Sequence, residues 1–230
     1  MVPAPRRDTR GVLIPYTQYE LTDQNILRAL HYVTQYLAQN RKNLTIVAVG
    51  GTVNTVLLHT RATTHDVDFY NTAFTNSELN LLREAATYAE ERSSVPLGDK
   101  WLNNETGTIG GTAEHIPELM QSAQAQNDVI FRKPGLTVLA APWSYAFVAK
   151  IGRITYGTGH AYDRQDAVVY LHEYIRRHGN VPVHVNRIRE WGTRYRRNVP
   201  DVILLVECTR ESTRITFVPH IFSPTPEICF

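Results

Sequence analysis

The segment from residue 44 to residue 71 constrains the fold of this chain more than any other stretch. It opens with a continuous apolar run, Leu44–Val49, which predicts a buried strand and is closed by two adjacent glycines. Residues 53–59 then have a helical pattern, and residues 66–70 alternate with β-branched and aromatic positions as a second strand. This order predicts β and α elements that alternate along the chain.

Hydrophobic periodicity predicts the other elements. Amphipathic spacing predicts helices over residues 22–40 and 78–92. Glycines and a proline interrupt every period within residues 96–126, which predicts a long loop with a short helix. The remaining predicted elements are a hairpin of Asp128–Phe131 and Leu136–Ala140, helices over residues 143–154, 163–178 and 186–197, and strands over residues 202–208 and 214–218.

Composition and charge exclude several classes of protein. A chain with 43% hydrophobic and 10% aromatic residues is typical of a globular domain, and a formal net charge of +2 creates no overall field that favours nucleic acid or an anionic membrane. No run approaches the roughly 18 apolar residues that span a bilayer, and no signal-peptide pattern follows the first residues. We therefore expect a cytoplasmic protein without a membrane partner. The two cysteines, Cys208 and Cys229, lack the spacing of a metal site.

Two carboxylates in the second predicted strand indicate a metal site. Asp66 and Asp68 are two residues apart, so they project from the same face of a strand, about 7 Å apart along it. Carboxylate oxygens are the ligands that Mg²⁺ takes from proteins when substrate phosphates complete its coordination. Asp128, at the start of a later predicted strand, is the candidate for a third carboxylate beside the pair.

The glycine turn is the complementary half of this candidate site. Gly50 and Gly51 end a buried strand and open a helix, so backbone N–H groups at the turn are available to a phosphate. The short polar side chains of Thr52 and Asn54 follow the turn, and Arg61 offers a charge-assisted hydrogen bond. Together these residues predict a nucleotide-binding turn.

These motifs resemble those of the nucleotidyltransferase superfamily typified by DNA polymerase β, in which a glycine pair precedes a strand with two alternating acids. Here the motifs are Val49-Gly50-Gly51 and Asp66-Val67-Asp68-Phe69. More closely, the chain is similar to the AbiEii-type and other minimal nucleotidyltransferases of toxin–antitoxin systems. Further matches to that group are Arg61, Thr63 and Thr64 before the acids, the segment Lys100-Trp101-Leu102-Asn103, Lys150 on a later helix, and the pair Asp163 and Asp166.

The resemblance implies an α+β fold in which a mixed sheet is flanked by helices. It implies an irregular lead-in over residues 1–21, a nucleotidyltransferase core over residues 22–142 and a mainly helical segment over residues 143–230 with two short strands. The implied activity is metal-dependent transfer of a nucleotidyl group from an NTP to an acceptor hydroxyl on a protein, an RNA or a small molecule. Asp66, Asp68 and Asp128 would hold Mg²⁺ or Mn²⁺, Gly50, Gly51, Thr52, Asn54 and Arg61 would bind the nucleotide, and Lys150 would act in catalysis.

Other interpretations of the same residues stay open or fail. A non-catalytic binding protein on this fold, antitoxin-like or regulatory, is the alternative to an enzyme. An EF-hand starting at Asp66 fails, because its sixth position would be Asn71 instead of glycine. Lys150 has an alternative role as a surface lysine. The arginines of residues 187–197 are either an RNA-binding surface or a solvated helix face.

Overall fold

The computed structural model describes most of the chain in two compact units, residues 1–141 and residues 142–230. No helix among the described residues is both long and apolar enough to cross a bilayer. The described ranges are residues 9–13, 16–71, 74–108 and 112–200, together with the backbone of residues 208–210, 213–217 and 227–229.

The first unit is built on a mixed sheet, which confirms the predicted α+β class. Its five strands are β2 (Leu44–Val49), β4 (Val67–Tyr70), β5 (Leu102–Asn103), β6 (Val129–Lys133) and β7 (Leu136–Ala140), and a separate antiparallel pair is formed by β1 (Leu21–Thr22) and β3 (Thr63–Thr64). The strand order in the sheet is β5-β4-β2-β7-β6. β2 is parallel to β7 and antiparallel to β4, whereas β5 is parallel to β4 and β6 is antiparallel to β7.

Two helices of the first unit begin where local sequence chemistry sets their first residue. α1 (Asp23–Gln39) begins after Thr22, whose side chain forms a capping box with Asn25. α2 (Asn76–Arg92) begins in the same way, with Thr75 and Glu78 as the reciprocal pair. Both helices confirm the amphipathic predictions. The 96–126 region contains α3 (Ile116–Gln126), β5 and two 3₁₀ turns, Glu105–Thr108 and Ala113–His115, so it is more structured than the predicted loop.

The two faces of the sheet have different coverings. Alternation along β4 places Asp68 and Tyr70 on one face and Phe69 on the other. Phe69 lines a cleft of about 600 Å³ together with Leu79 and Leu82, so α2 lies over the Phe69 face. On the opposite face, Gly107 of the 3₁₀ turn lies close to Tyr70. The face with Asp68 is therefore bordered by the loop after β5.

The helix that follows the glycine turn is shorter and wider than the sequence predicts. Helical geometry starts at Gly51 and continues as a π-type turn over Val53–Leu57, where the Leu58 N–H donates to the Val53 carbonyl at 3.0 Å. His59 has a left-handed backbone (φ 51°), which ends the helix. With so few aligned peptide units, the helix dipole contributes less at the turn than a full helix would.

The second unit is helical with a small sheet. Its elements are α4 (Trp143–Thr155), α5 (Asp163–Arg177), β8 (Val183–His184), α6 (Val185–Arg194), β9 (Cys208–Arg210), β10 (Thr213–Phe217) and β11 (Glu227–Cys229). α4 packs against both α5 and α6, and a four-stranded antiparallel sheet has the order β8-β11-β10-β9. Most of the predicted strand over residues 202–208 lies outside the described residues.

Candidate functional site

The register of β2 against β4 brings the glycine turn beside the acidic pair. Val49, the last residue of β2, pairs directly with Asp68. Because the two strands are antiparallel, the carboxyl end of β2 lies next to the amino end of β4. Gly50 follows with a positive φ of 66°, a conformation that glycine adopts without steric cost. The two motifs that the sequence places 14 residues apart therefore meet at one end of the central strands.

Close contacts hold the turn against the segment that leads into β4. The Thr52 hydroxyl donates to the backbone carbonyl of Asp66 at 2.7 Å. A Cβ added at Gly51 would lie 2.0 Å from the Thr64 hydroxyl oxygen and 2.8 Å from Thr64 Cβ. Gly51 is thus required for the close approach of the turn to Thr64, whereas Gly50 is required for its backbone conformation.

Gly51→Ala is expected to destabilise the protein by about 1–3 kcal/mol, because the new methyl group overpacks against Thr64. The companion variant Gly50→Ala meets no atom within 4 Å, so its cost of about 1–2 kcal/mol comes from the left-handed backbone alone. Urea unfolding of each variant, with and without Thr64→Gly, measures the overpacking cost at Gly51 and the backbone cost at Gly50. Thr64→Gly should restore stability to Gly51→Ala and not to Gly50→Ala. A Gly51→Ala protein as stable as the wild type would contradict the packing argument.

Thr52 and Asn54 have internal hydrogen-bond partners, and the expectation that their side chains cradle a phosphate stays a prediction. Both residues are fully buried. The Asn54 amide donates to the Gly50 carbonyl at 3.1 Å and accepts from the Thr60 hydroxyl at 3.1 Å, while Thr52 is committed to Asp66. Polar side chains in the interior stabilise a fold when such bonds satisfy them, and here they fix the shape of the turn.

Arg61 lies beside the glycine turn. One of its guanidinium nitrogens is 3.7 Å from the position that a Cβ of Gly51 would take. The residue is half-buried, so its charge is close to the turn and partly shielded from water. This position agrees with the prediction that Arg61 contributes a positive charge at the turn, which stays a prediction.

The acidic pair is linked to a residue from the edge of the sheet. Asp68 pairs with Asn103 of β5 in the parallel register. The Asn103 side-chain amide donates to Asp66 Oδ2 at 3.4 Å, and Glu105 follows at the start of the 3₁₀ turn. Burial raises the pKa of Asp66 to about 6, the Asn103 hydrogen bond opposes this shift, and the charge of Glu105 adds to it. Asp66 is therefore a carboxylate whose ionised form gains from a nearby cation.

Asp66→Asn is expected to raise the melting temperature at about pH 8 and to change it little at about pH 4, measured without divalent cations. The folded pKa of about 6 lies above the ordinary value of 3.8. The free-energy cost of ionising Asp66 is therefore absent at low pH, grows from about pH 4 to pH 6 and is complete above that range. Glu91→Gln, at an exposed carboxylate, is the control for the change in net charge. An equal shift of the melting temperature at both pH values would contradict the assigned burial cost.

The strand order does not bring Asp128 to the acidic pair. Asp128 precedes β6, and its carbonyl accepts from the Ala140 N–H at 2.8 Å. β7 and β2 lie between β6 and β4, so three strand spacings, about 14 Å, separate Asp128 from the strand of Asp68. Strand order therefore does not set Asp128 beside the pair. No group of three His, Cys, Asp or Glu side chains suited to a metal ion occurs among the described residues. The role of Asp128 as the third ligand stays a prediction, which the strand order does not support.

Lys150 is held inside the second unit by two carboxylates. Its ammonium lies 2.6 Å from Asp163 and 2.8 Å from Asp166, and the lysine is only 5% exposed. Burial opposes ionisation of Asp163, but the hydrogen bond and charge of Lys150 outweigh it, and the His160 N–H and Arg153 add to their effect. The pKa of Asp163 is therefore below its ordinary value. This geometry excludes the surface-lysine interpretation, and a phosphate contact by Lys150 stays a prediction that has to compete with two carboxylates.

Asn103 and Glu105 are the residues near the acidic pair that the sequence did not identify as site residues. The sequence indicates Asn103 only through the segment from Lys100 to Asn103, which matches a motif of the family that the chain resembles. A two-residue strand carries no periodicity, so neither β5 nor its pairing with β4 is predictable from a local pattern.

The fold and the site together define an α+β protein whose mixed sheet places a glycine turn beside an acidic pair. A family model described as a domain of unknown function, DUF7582, matches residues 19–189, which is more than half of the chain. The chain therefore belongs to that family. The matched range includes the glycine turn, the acidic pair, Asn103 and Lys150. No match occurs among curated proteins or among solved structures.

Proposed function

We propose that this protein is a metal-dependent nucleotidyltransferase that moves a nucleotidyl group from an NTP to an acceptor hydroxyl on a protein, an RNA or a small molecule. One observation supports this function above all: the pairing of Val49 with Asp68 sets a glycine turn beside two alternating carboxylates. A turn suited to phosphates and a carboxylate pair suited to a divalent cation are the two parts that an NTP complex needs. The sequence motifs do not by themselves specify that the glycine turn and the carboxylate pair are neighbours in space.

The triphosphate would lie at the glycine turn. The backbone N–H of Gly51, a partly exposed residue, can donate to a phosphate oxygen without a side chain in the way, because Thr52 and Asn54 are turned into the protein. Arg61 would add a charge-assisted hydrogen bond from the edge of the turn. In this arrangement the side chains of Thr52 and Asn54 fix the shape of the turn, and its backbone N–H binds the phosphate.

Asp66 and Asp68 would hold Mg²⁺ or Mn²⁺. Hard divalent cations prefer oxygen ligands, and the local donor set consists of carboxylate oxygens beside the amide of Asn103. The burial that raises the pKa of Asp66 also fits a cation site, since a bound cation stabilises the ionised carboxylate. When bound, the ion would neutralise charge on the phosphoryl group and orient it. We place the protein in the cytoplasm, where Mg²⁺ and NTPs are both present.

A non-catalytic nucleotide-binding protein is the second candidate, and the position of Asp128 favours it. Two carboxylates are enough to bind a metal-bound nucleotide, whereas activation of an acceptor hydroxyl also needs a base within hydrogen-bond reach. The strand order moves Asp128 away from that role. The two candidates therefore differ in turnover and share nucleotide binding.

Incubation with Mg²⁺, each of the four NTPs in turn and a cell extract as the source of acceptors separates the two candidates. Transfer predicts release of pyrophosphate and an acceptor whose mass increases by one nucleotide, detected by mass spectrometry. The same incubation with Asp68→Asn protein is the matched control, because this variant keeps the shape of the strand and loses the charge. Nucleotide binding without pyrophosphate release in any of the four incubations would favour the binding protein.

A further inference from the structure

The Asn103 side chain belongs to β5, the strand at the edge of the sheet beside β4. It is 7% exposed, and both ends of its amide have partners. The nitrogen donates to Asp66 Oδ2 at 3.4 Å and to the Lys100 carbonyl at 3.1 Å, while the oxygen accepts from the Glu105 N–H at 3.1 Å. These three bonds connect the acidic pair to both ends of the segment from residue 100 to residue 105.

Only an amide side chain suits this position. Asp66 and the Lys100 carbonyl need a donor, and the Glu105 N–H needs an acceptor. A carboxylate or a hydroxyl cannot supply two N–H donors together with an acceptor, whereas asparagine carries two N–H donors and one carbonyl oxygen. The parallel register beside Asp68 fixes the backbone from which this short side chain reaches Asp66.

The segment around Asn103 has further anchors. The Lys100 ammonium pairs with the Glu105 carboxylate and lies 3.6 Å from the centre of the Tyr16 ring. The first and last residues of the segment are therefore joined to each other as well as to Asn103. A donor carried by a segment anchored in this way holds its acceptor in a fixed orientation.

A hydrogen bond on one carboxylate oxygen has a direct consequence for metal binding. It fixes the rotation of the carboxyl group and leaves the other oxygen for a cation. Residues that orient a metal ligand in this way affect metal affinity without touching the metal.

We propose that Asn103 is the positioning residue of the site: its amide orients the Asp66 carboxylate for a divalent cation. The inference rests on the proposed function only for the presence of the cation at Asp66 and Asp68. On this inference the segment from Lys100 to Asn103 contributes to metal affinity as well as to packing. Glu105 enters the same arrangement through its backbone N–H.

The test measures Mn²⁺ binding to the full chain by the electron paramagnetic resonance of free Mn²⁺, without nucleotide. Asn103→Leu keeps the branched outline of asparagine and removes all three hydrogen bonds, so Mn²⁺ affinity should fall by about tenfold or more. Asn103→Gln keeps the amide and should retain more affinity than Asn103→Leu. Asn104→Leu, one residue along, is the matched control and should change the affinity by less than about twofold. If Asn103→Leu does not fold, as judged by circular dichroism, Asn103→Ala replaces it.

Wild-type affinity in Asn103→Leu, equal losses in Asn103→Leu and Asn103→Gln, or absence of Mn²⁺ binding to the wild-type protein would each overturn the inference. A role in packing alone would lower the melting temperature and leave Mn²⁺ affinity intact. Pyrophosphate release by the same wild-type sample is measured separately with each NTP. Selective loss of Mn²⁺ affinity together with no pyrophosphate release would support the positioning role while contradicting the proposed transferase activity.

Discussion

Replacing Asp68 by alanine is expected to abolish Mg²⁺-dependent binding of NTP, and Asp66→Ala should have the same effect. Each substitution removes one of two carboxylates that meet the glycine turn through the β2–β4 register. We expect a loss of at least about a hundredfold in affinity, equivalent to about 2.8 kcal/mol. Isothermal titration calorimetry with each NTP, in the presence of Mg²⁺ and then of EDTA, measures the loss.

Glu91→Ala is the control for these variants, because it removes an exposed carboxylate from α2. It should leave Mg²⁺–NTP affinity unchanged. Removing the Asp66 carboxylate removes the cost of its burial and its repulsion by Glu105, so Asp66→Ala should not lower the melting temperature measured near pH 8 without metal. Unchanged affinity in both aspartate variants would refute the site.

Lys150→Met is expected to destabilise the second unit by about 3–5 kcal/mol, the cost of removing one partner from a buried ion pair. The substitution leaves Asp163 and Asp166, which are 0% and 1% exposed, without the ammonium that both contact. Tryptophan fluorescence during urea unfolding measures the loss, because Trp143 and Trp191 both lie in the second unit.

The triple variant Lys150→Met, Asp163→Asn, Asp166→Asn is the matched control and should recover most of the stability, since it contains no unpaired charge. The pH dependence has a defined sign. The lowered pKa of Asp163 means that its ionised form stabilises the fold above about pH 4 and that this contribution is lost as the pH falls below its ordinary value of 3.8. A Lys150→Met protein with wild-type stability near pH 7 would show that the ion pairs are not structural.

Elements with strong local patterns were predictable from the sequence. The capping boxes at Thr22 and Thr75 mark helix starts that local chemistry defines, and the apolar run of β2 identifies a buried strand. β5 was not predictable, because two residues carry no period and pairing with β4 depends on contacts more than 30 residues apart in sequence. The π-type turn after Gly51 also escaped prediction, because a pattern of five residues does not distinguish a π-type turn from an α-helix.

The candidate site was predictable in its two motifs and not in their surroundings. Gly51 and Asp66 are close in sequence, and antiparallel pairing of neighbouring strands joins them. The position of Asp128 was not predictable, because the sequence does not specify strand order, and two strands come between β6 and β4. The polar side chains of Thr52 and Asn54 have the types expected of ligand contacts, but burial commits them to internal bonds. Residue type alone does not distinguish these two uses.

A crystal structure of the protein with Mg²⁺ and a non-hydrolysable NTP tests the central claim most directly. We expect a cation between the carboxylates of Asp66 and Asp68, with oxygen ligands at about 2.1 Å, and a phosphate oxygen on the backbone N–H of Gly51. A nucleotide bound elsewhere, for example in the cleft between α2 and Phe69, with no cation at the acidic pair, would contradict it.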